Sequence, residues 1–217
     1  MGEILDIVLH LDHHLATWAA DMGPWLHVLL FAIVFAETGL VITPFLPGDS
    51  LLFAVGALAA HPDSTLNPVT CGLVLTTAAI LGDAVNYAIG RRIGPRIFSS
   101  TSSRFFNREH LLRAQAFYEK YGGRAIVLAR FVPIVRTFAP FVAGIGNMSY
   151  RRFAAFNVFG AVVWVAGLVG AGLAFGEIPF VKKHFEMVII GIIVLSVLPV
   201  IFEWWRAWRH TKNAPPA

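Results

Sequence analysis

Residues 153–175, FAAFNVFGAVVWVAGLVGAGLAF, carry no charged side chain. A helix needs roughly 20 mainly apolar residues to cross the hydrocarbon core of a bilayer, and an uncharged run this long has few other uses. Residues 185–202, FEMVIIGIIVLSVLPVIF, form a second such run, with one acid near the start. Charge is scarce throughout: 14% of the chain is charged and 57% is hydrophobic, whereas an ordinary soluble domain is about 25% charged. The expectation is an all-α, polytopic membrane domain of 217 residues with no soluble domain beside it.

Several classes fall away. The first 22 residues contain acids and no Lys or Arg, unlike the positively charged opening of a cleaved signal. A lone Cys71 in an apolar run offers neither a disulfide nor a Cys-based metal site. His13 and His14 are adjacent, point different ways on a helix and lack further ligands, so no metal and no cofactor is expected. The modest basicity comes without a nucleic-acid fold motif, and the basic residues have a better explanation.

No Lys or Arg precedes residue 91, and all 17 lie from Arg91 onward. Arg91, Arg92, Arg96, Arg104, Arg108, Arg113, Lys120 and Arg124 fall within one short segment. The positive-inside rule places that segment in the cytoplasm, with Arg151, Arg152 and the tail residues Arg206, Arg209 and Lys212 on the same side. Trp204, Trp205 and Trp208 read as interfacial anchors beside a cytoplasmic C-terminus. Lys182 and Lys183 are the exception, in a short loop expected outside.

Along the chain, residues 1–22 contain a candidate amphipathic helix, with Ile4, Ile7, Val8, Leu11 and Leu15 at helical spacing. Residues 25–60 hold a long apolar helix, 25–43, then TPFLPGDS (43–50), then a second arm, 51–60, too short to span. Residues 69–90 span and meet the basic segment 91–121. Residues 122–146, GGRAIVLARFVPIVRTFAPFVAGIG, are mostly apolar yet carry Arg130 and Arg136 and are interrupted by Pro133 and Pro140. They enter and leave on the cytoplasmic side, so the reading is a re-entrant hairpin. Spans at 153–175 and 185–204 and a tail at 205–217 complete the chain. The same logic makes 25–60 a hairpin entered from outside. Two hairpin-plus-span units then have opposite orientation, the inverted repeat of many transporters. Sequence self-similarity is slight: FAVGAL (53–58) resembles FVAGIG (141–146).

Glu37, Asp49, Arg130 and Arg136 fall at membrane depth, with Asp83 a fifth candidate. A mid-bilayer charge costs about 2.5–3.5 kcal/mol on insertion scales. Irregular backbone at that depth is tolerated only inside protein or along a cavity. The two costly features coincide here, which points to one polar centre. Arg130 and Arg136 suit a phosphate, which a guanidinium binds through its planar fork. PGDS (47–50) places Asp49 or Ser50 at the start of a helix, whose N-terminus favours an anion. Glu37 and Asp49 suit proton uptake and release, because a low-dielectric site disfavours the ionised carboxylate. The plainer alternative is that the carboxylates only neutralise the arginines in a buried structural network. For Asp83 a structural and a functional role weigh equally. Asn86 and Tyr87 are assigned to packing or the interface, and GLVGAGLAFG (167–176) to close helix contact.

FAETGLVITPFLPGDSLLFAVGAL (35–58), GDAVNYAIGRRIG (82–94), FYEKYGGRAIVLARFVPIVRTFAPFVAGIGNMSYRRFAAFN (117–157) and Gly160-x-x-x-Trp164 resemble the DedA family, part of the wider group with VTT (SNARE-associated) domains. The resemblance implies a bacterial inner-membrane protein with two opposed re-entrant hairpins. It also implies a role in flipping undecaprenyl phosphate between leaflets, dependent on the proton-motive force. The family's acidic pair matches Glu37 and Asp49, and its arginine pair matches Arg130 and Arg136.

The leading expectation is a polyprenyl-phosphate flippase. Arg130 and Arg136 bind the head group, Glu37 and Asp49 couple protons, and Ser50 and Asp83 are accessory. The rivals are a proton-coupled transporter of small solutes or ions, a general phospholipid scramblase, and a lipid phosphatase or transferase. The last lacks a visible nucleophile or metal cluster. The partners expected are the lipid and the membrane, and Gly/Ala-rich faces permit a homodimer.

Overall fold

The computed structural model describes residues 17–18, 21–40, 48–62, 64–99, 121–146, 148–185, 187–192 and 194. Most of the expected N-terminal helix, the basic stretch 100–120, the linker 41–47 and the tail with its tryptophans lie outside the described residues. Among the described residues all regular structure is helical. The helices are α1 (Trp25–Gly39), α2 (Gly48–Ala60), α3 (Pro68–Ser99), α4 (Arg124–Ala129), α5 (Pro133–Ile145), α6 (Tyr150–Phe175) and α7 (Pro179–Lys183).

Local chemistry sets these boundaries. Gly23, at φ +51°, makes the left-handed turn before Pro24 and α1. Asn67 caps α3, its Oδ1 accepting from the backbone N–H groups of Val69 at 2.9 Å and Thr70 at 3.1 Å. Pro133 opens α5 after an extended Val132. Three boundaries differ from the sequence reading. The first arm ends at Gly39 rather than 43, and the second begins at Gly48, so Asp49 and Ser50 are helical. Pro140 does not interrupt α5; it sits inside the helix, buried, and only Pro133 marks a break. The span expected at 69–90 continues as one helix through Arg91 and Arg92 to Ser99.

Among the described residues two helices are long and apolar enough to cross a membrane: Pro68–Ile93 within α3, and α6. Each buries one stripe. On α3 it is Cys71, Leu75, Ala78–Ala79, Gly82–Asp83, Asn86–Tyr87 and Gly90; on α6 it is Phe153, Asn157, Gly160–Ala161, Trp164–Val165, Val169 and Gly172. The opposite faces are also apolar, with Leu73, Leu81 and Val85 on α3 and Val158, Phe159 and Val162 on α6 exposed. A helix apolar all round belongs in lipid or in a large core. Thr77, on the exposed face of α3, satisfies its hydroxyl by donating to the Leu73 carbonyl at 2.7 Å. By contrast α1, α2 and α5 have 15, 13 and 13 residues, or roughly 20 Å each at 1.5 Å per residue, short of a crossing.

The packing has an internal two-fold correspondence. α1 lies on α3 and α4 on α6, while α2 lies on α6 and α5 on α3. Glycines make the closest approaches. A Cβ at Gly56 would strike the Val169 carbonyl, and one at Gly172 would strike that of Phe53. In the other half, a Cβ at Gly144 would strike the Tyr87 carbonyl, and one at Gly90 that of Phe141. These are the same positions of FAVGAL and FVAGIG, so the faint sequence likeness marks equivalent helix crossings. Directions follow from the contacts. His27 meets Cys71 and Gly39 meets Gly82, so α1 runs alongside α3 in the same sense. Asp49 meets Trp164 and Ala57 meets Gly176, so α2 runs with α6. Thr137 meets Asn86 and Gly144 meets Arg91, so α5 runs with α3. Of the run 167–176, only Gly172 and Gly176 are close contacts; Gly167 and Gly170 face open space.

Candidate functional site

Four helix ends and the middles of two long helices meet at one point. Glu37 and Thr38 end α1, Asp49 and Ser50 begin α2, Arg130 follows α4, and Arg136 lies in the opening turns of α5. Asp83 and Asn86 come from α3, and Asn157, Gly160 and Trp164 from α6. Glu37, Ser50, Asp83, Arg130 and Arg136 are all at most 4% exposed.

Arg136 is held on three sides. Its Nη2 donates to Glu37 Oε1 at 2.5 Å and its Nη1 to Asp49 Oδ1 at 2.7 Å. Its guanidinium lies over the Trp164 ring, 4.9 Å from the centroid, a distance at which a ring face attracts a cation. The Trp164 indole N–H also donates to Asp49 Oδ1 at 2.9 Å. Gly48 is required where α2 meets α1: a Cβ there would fall on the Glu37 carboxylate, and its N–H instead donates to Glu37 Oε1 at 3.3 Å.

Arg130 has a different partner. Its Nη2 donates to Asp83 Oδ2, and to Asn157 Oδ1 at 2.5 Å. Asn157 is itself fixed, its Nδ2 donating to the Ile80 carbonyl at 3.0 Å. Asn86 ties the halves together, its Nδ2 donating to the carbonyls of Thr38 at 3.1 Å and Thr137 at 2.7 Å. Several buried polar atoms have no hydrogen-bond partner: Glu37 Oε2, Ser50 Oγ, Asp83 Oδ1, Asn86 Oδ1, Arg130 Nε and Nη1, and Arg136 Nε. Leaving such atoms unpaired costs about 1–3 kcal/mol each, so the centre is suited to exchanging partners.

The structure thus brings Glu37, Asp49, Asp83, Arg130 and Arg136 into one cluster. Ser50 is buried beside it, its hydroxyl without a partner. Neutralisation of arginine by carboxylate describes Arg136 well and Arg130 only in part. The sequence named no particular pairs; in the structure Arg136 takes Glu37 and Asp49 while Arg130 takes Asp83, as the helical phase of α3 decides. Trp164, Asn157, Asn86, Gly48 and Gly160 were not singled out as site residues. A usable signal existed: Asn157 is the one strongly polar side chain within 153–175, and Trp164 lies seven residues on, on the same helix face. Among the described residues no group of three His, Cys, Asp or Glu is placed to hold a metal ion, and His13–His14 lies outside them.

The fold and this centre define an α-helical membrane protein with paired charges buried among broken helices. Residues 46–174 match the VTT domain family. The chain is 54% identical to Protein DedA of Escherichia coli K12 over 97% of its own length and 96% of that protein. It is 46% identical to Uncharacterized membrane protein Rv0364 of Mycobacterium tuberculosis, over 86% and 82% of the two chains. It is 37% identical to Inner membrane protein YghB of Salmonella typhimurium, over 91% and 90%. The chain belongs to the DedA family of membrane proteins. No solved structure matches it.

Proposed function

We propose that this protein flips a polyprenyl-phosphate carrier lipid, undecaprenyl phosphate, across a bacterial inner membrane for reuse in envelope synthesis, with protons as the coupling ion. On this reading α1–α2 and α4–α5 are re-entrant hairpins inserted from opposite faces, and the C-terminus is cytoplasmic. The directions of α1 with α3, α2 with α6 and α5 with α3 favour it. So does the concentration of basic residues after α3 and at Arg151–Arg152.

One observation carries the reading: Arg136 of the second hairpin bridges Glu37 and Asp49 of the first. The ion pairs join the two hairpin tips. A proton on either carboxylate weakens that joint, and an arginine freed from its carboxylate is a phosphate receptor. The polyprenyl tail stays in lipid while the head group passes between the tips. Glu37 and Asp49 carry the protons, Arg130 and Arg136 hold the phosphate, and no chemical bond is made or broken.

The test is reconstitution in proteoliposomes with undecaprenyl phosphate, following its sidedness with and without a pH gradient. Arg130→Ala with Arg136→Ala should abolish gradient-dependent flipping; unchanged flipping refutes the head-group site. Equal movement of phosphatidylethanolamine without a gradient identifies a scramblase instead. Solute flux indifferent to the lipid identifies an exchanger, and release of inorganic phosphate identifies an enzyme.

A further inference from the structure

We propose that Asp83 is the resident counter-ion which the phosphate head group displaces from Arg130, and that the displaced carboxylate takes up a proton. This rests on the head-group reading above and adds a positioning residue to it.

The two arginines are not equivalent. Arg136 has two carboxylates from two different helices, and both guanidiniums lie over the Trp164 ring, Arg136 at 4.9 Å and Arg130 at 5.9 Å from its centroid. Arg130 has a single carboxylate, Asp83, with neutral Asn157 beside it. Arg136 keeps one unpartnered donor, Nε, whereas Arg130 keeps two, Nε and Nη1. Gly160 is the close neighbour on that edge: a Cβ there would come to 3.3 Å from Arg130 Nε, so only a glycine lets α6 approach the guanidinium this closely. An incoming phosphate therefore finds free donors on Arg130 and has one anion to displace. Asn157 stays in place because the Ile80 carbonyl fixes its amide. Asp83 is the anionic partner, joined to Arg130 through Oδ2 alone while its Oδ1 has no hydrogen-bond partner.

Charge balance requires the proton. The ionisable neighbours are Glu37 from α1, Asp49 from α2 and Arg136 from α5, while α6 presents Asn157 and Trp164, which do not titrate. Three carboxylates already face two guanidiniums. A phosphate monoester brings about 1.5–2 further negative charges at neutral pH. A carboxylate stripped of its arginine at membrane depth is too costly to remain ionised. The exchange is balanced: the Arg130–Asp83 contact breaks, an Arg130–phosphate contact forms, and a proton from solvent joins Asp83. A proton then accompanies each head group into the centre, in addition to any carried by Glu37 or Asp49.

The experiment uses the purified full chain in detergent, with farnesyl phosphate as a short-chain probe. Calorimetry in two buffers of different ionisation enthalpy gives both affinity and protons taken up, at pH 7 and pH 8. Wild type should take up protons on binding, with affinity falling as pH rises. Asp83→Asn keeps an acceptor for Arg130 without the competing charge. It should bind the probe tenfold or more tighter at pH 8 and take up fewer protons, by up to one. Asp83→Glu keeps the charge and should keep the wild-type proton count. If Arg130→Ala abolishes binding while Asp83→Asn shows wild-type proton uptake and no gain in affinity, the role of Asp83 falls and the head-group site stands. If wild type binds without proton uptake, the displacement is overturned with no variant needed. If wild type does not bind the probe, both readings fail.

Discussion

Arg136→Met should be among the most damaging single substitutions in this protein, and the structure says how damaging. The guanidinium is the joint between α1, α2 and α5, paired with Glu37 at 2.5 Å and Asp49 at 2.7 Å. Methionine fills much of the volume but strands both carboxylates. Glu37 is 0% exposed, so it cannot recover its hydration by turning outward. Breaking a buried pair from one side costs about 3–5 kcal/mol, and loss of the contact with Trp164 adds up to roughly 1 kcal/mol. For a chain of this size each kcal/mol moves the melting temperature by about 2–4 °C, so a fall of roughly 6–24 °C is expected. Glu37→Gln alone should cost only about 1 kcal/mol, because the amide still accepts from Arg136 and Asp49 still balances it. The double variant removes the stranded charge and should regain about 2–3 kcal/mol over Arg136→Met, a coupling well within the range for contacting groups. Asp49, whose side chain is 19% exposed, keeps the Trp164 donor and is the lesser burden. The assay is thermal unfolding of the detergent-solubilised protein, followed by tryptophan emission. A double variant as unstable as Arg136→Met alone, or an Arg136→Met that melts within 2 °C of wild type, would refute the buried joint.

Further outcomes follow from the same packing. Gly56→Val and Gly144→Val put a side chain into a facing backbone carbonyl and should each prevent stable folding, read as loss of a monodisperse peak in size-exclusion chromatography. Gly167→Ala and Gly170→Ala meet nothing within 4 Å and should stabilise by about 0.5–1 kcal/mol each in the same melting assay; a loss of stability contradicts the open faces. Trp164→Phe keeps a ring under Arg136 but deletes the donor to Asp49. It should cost about 1 kcal/mol and slow the proposed lipid flipping more than it lowers expression; a wild-type rate in that assay removes Trp164 from the site.

The membrane helices were legible in composition, because the uncharged run 153–175 can be solvated by little except lipid. That broken helices and buried charges coincide was legible too, since each is tolerated at depth only where protein surrounds it. Helix ends were read less well at Gly39 and Gly48, where one glycine closes a helix and the other opens one against Glu37. Pro140 misled for a related reason: a proline signals a break by its missing N–H, but a helix held along its length by packing on α3 keeps its path.

Sequence alone thus determined that this chain lies in a membrane and that Glu37, Asp49, Arg130 and Arg136 must find shelter there, because solvation free energy depends on residue type and run length. Tertiary structure alone decided who shelters whom. Arg136 takes Glu37 of α1 and Asp49 of α2, Arg130 takes Asp83, and Trp164 and Asn157 complete the centre. Those choices depend on which faces of α3 and α6 meet the ends of α1, α2, α4 and α5, and that is fixed by glycine contacts far apart in the chain.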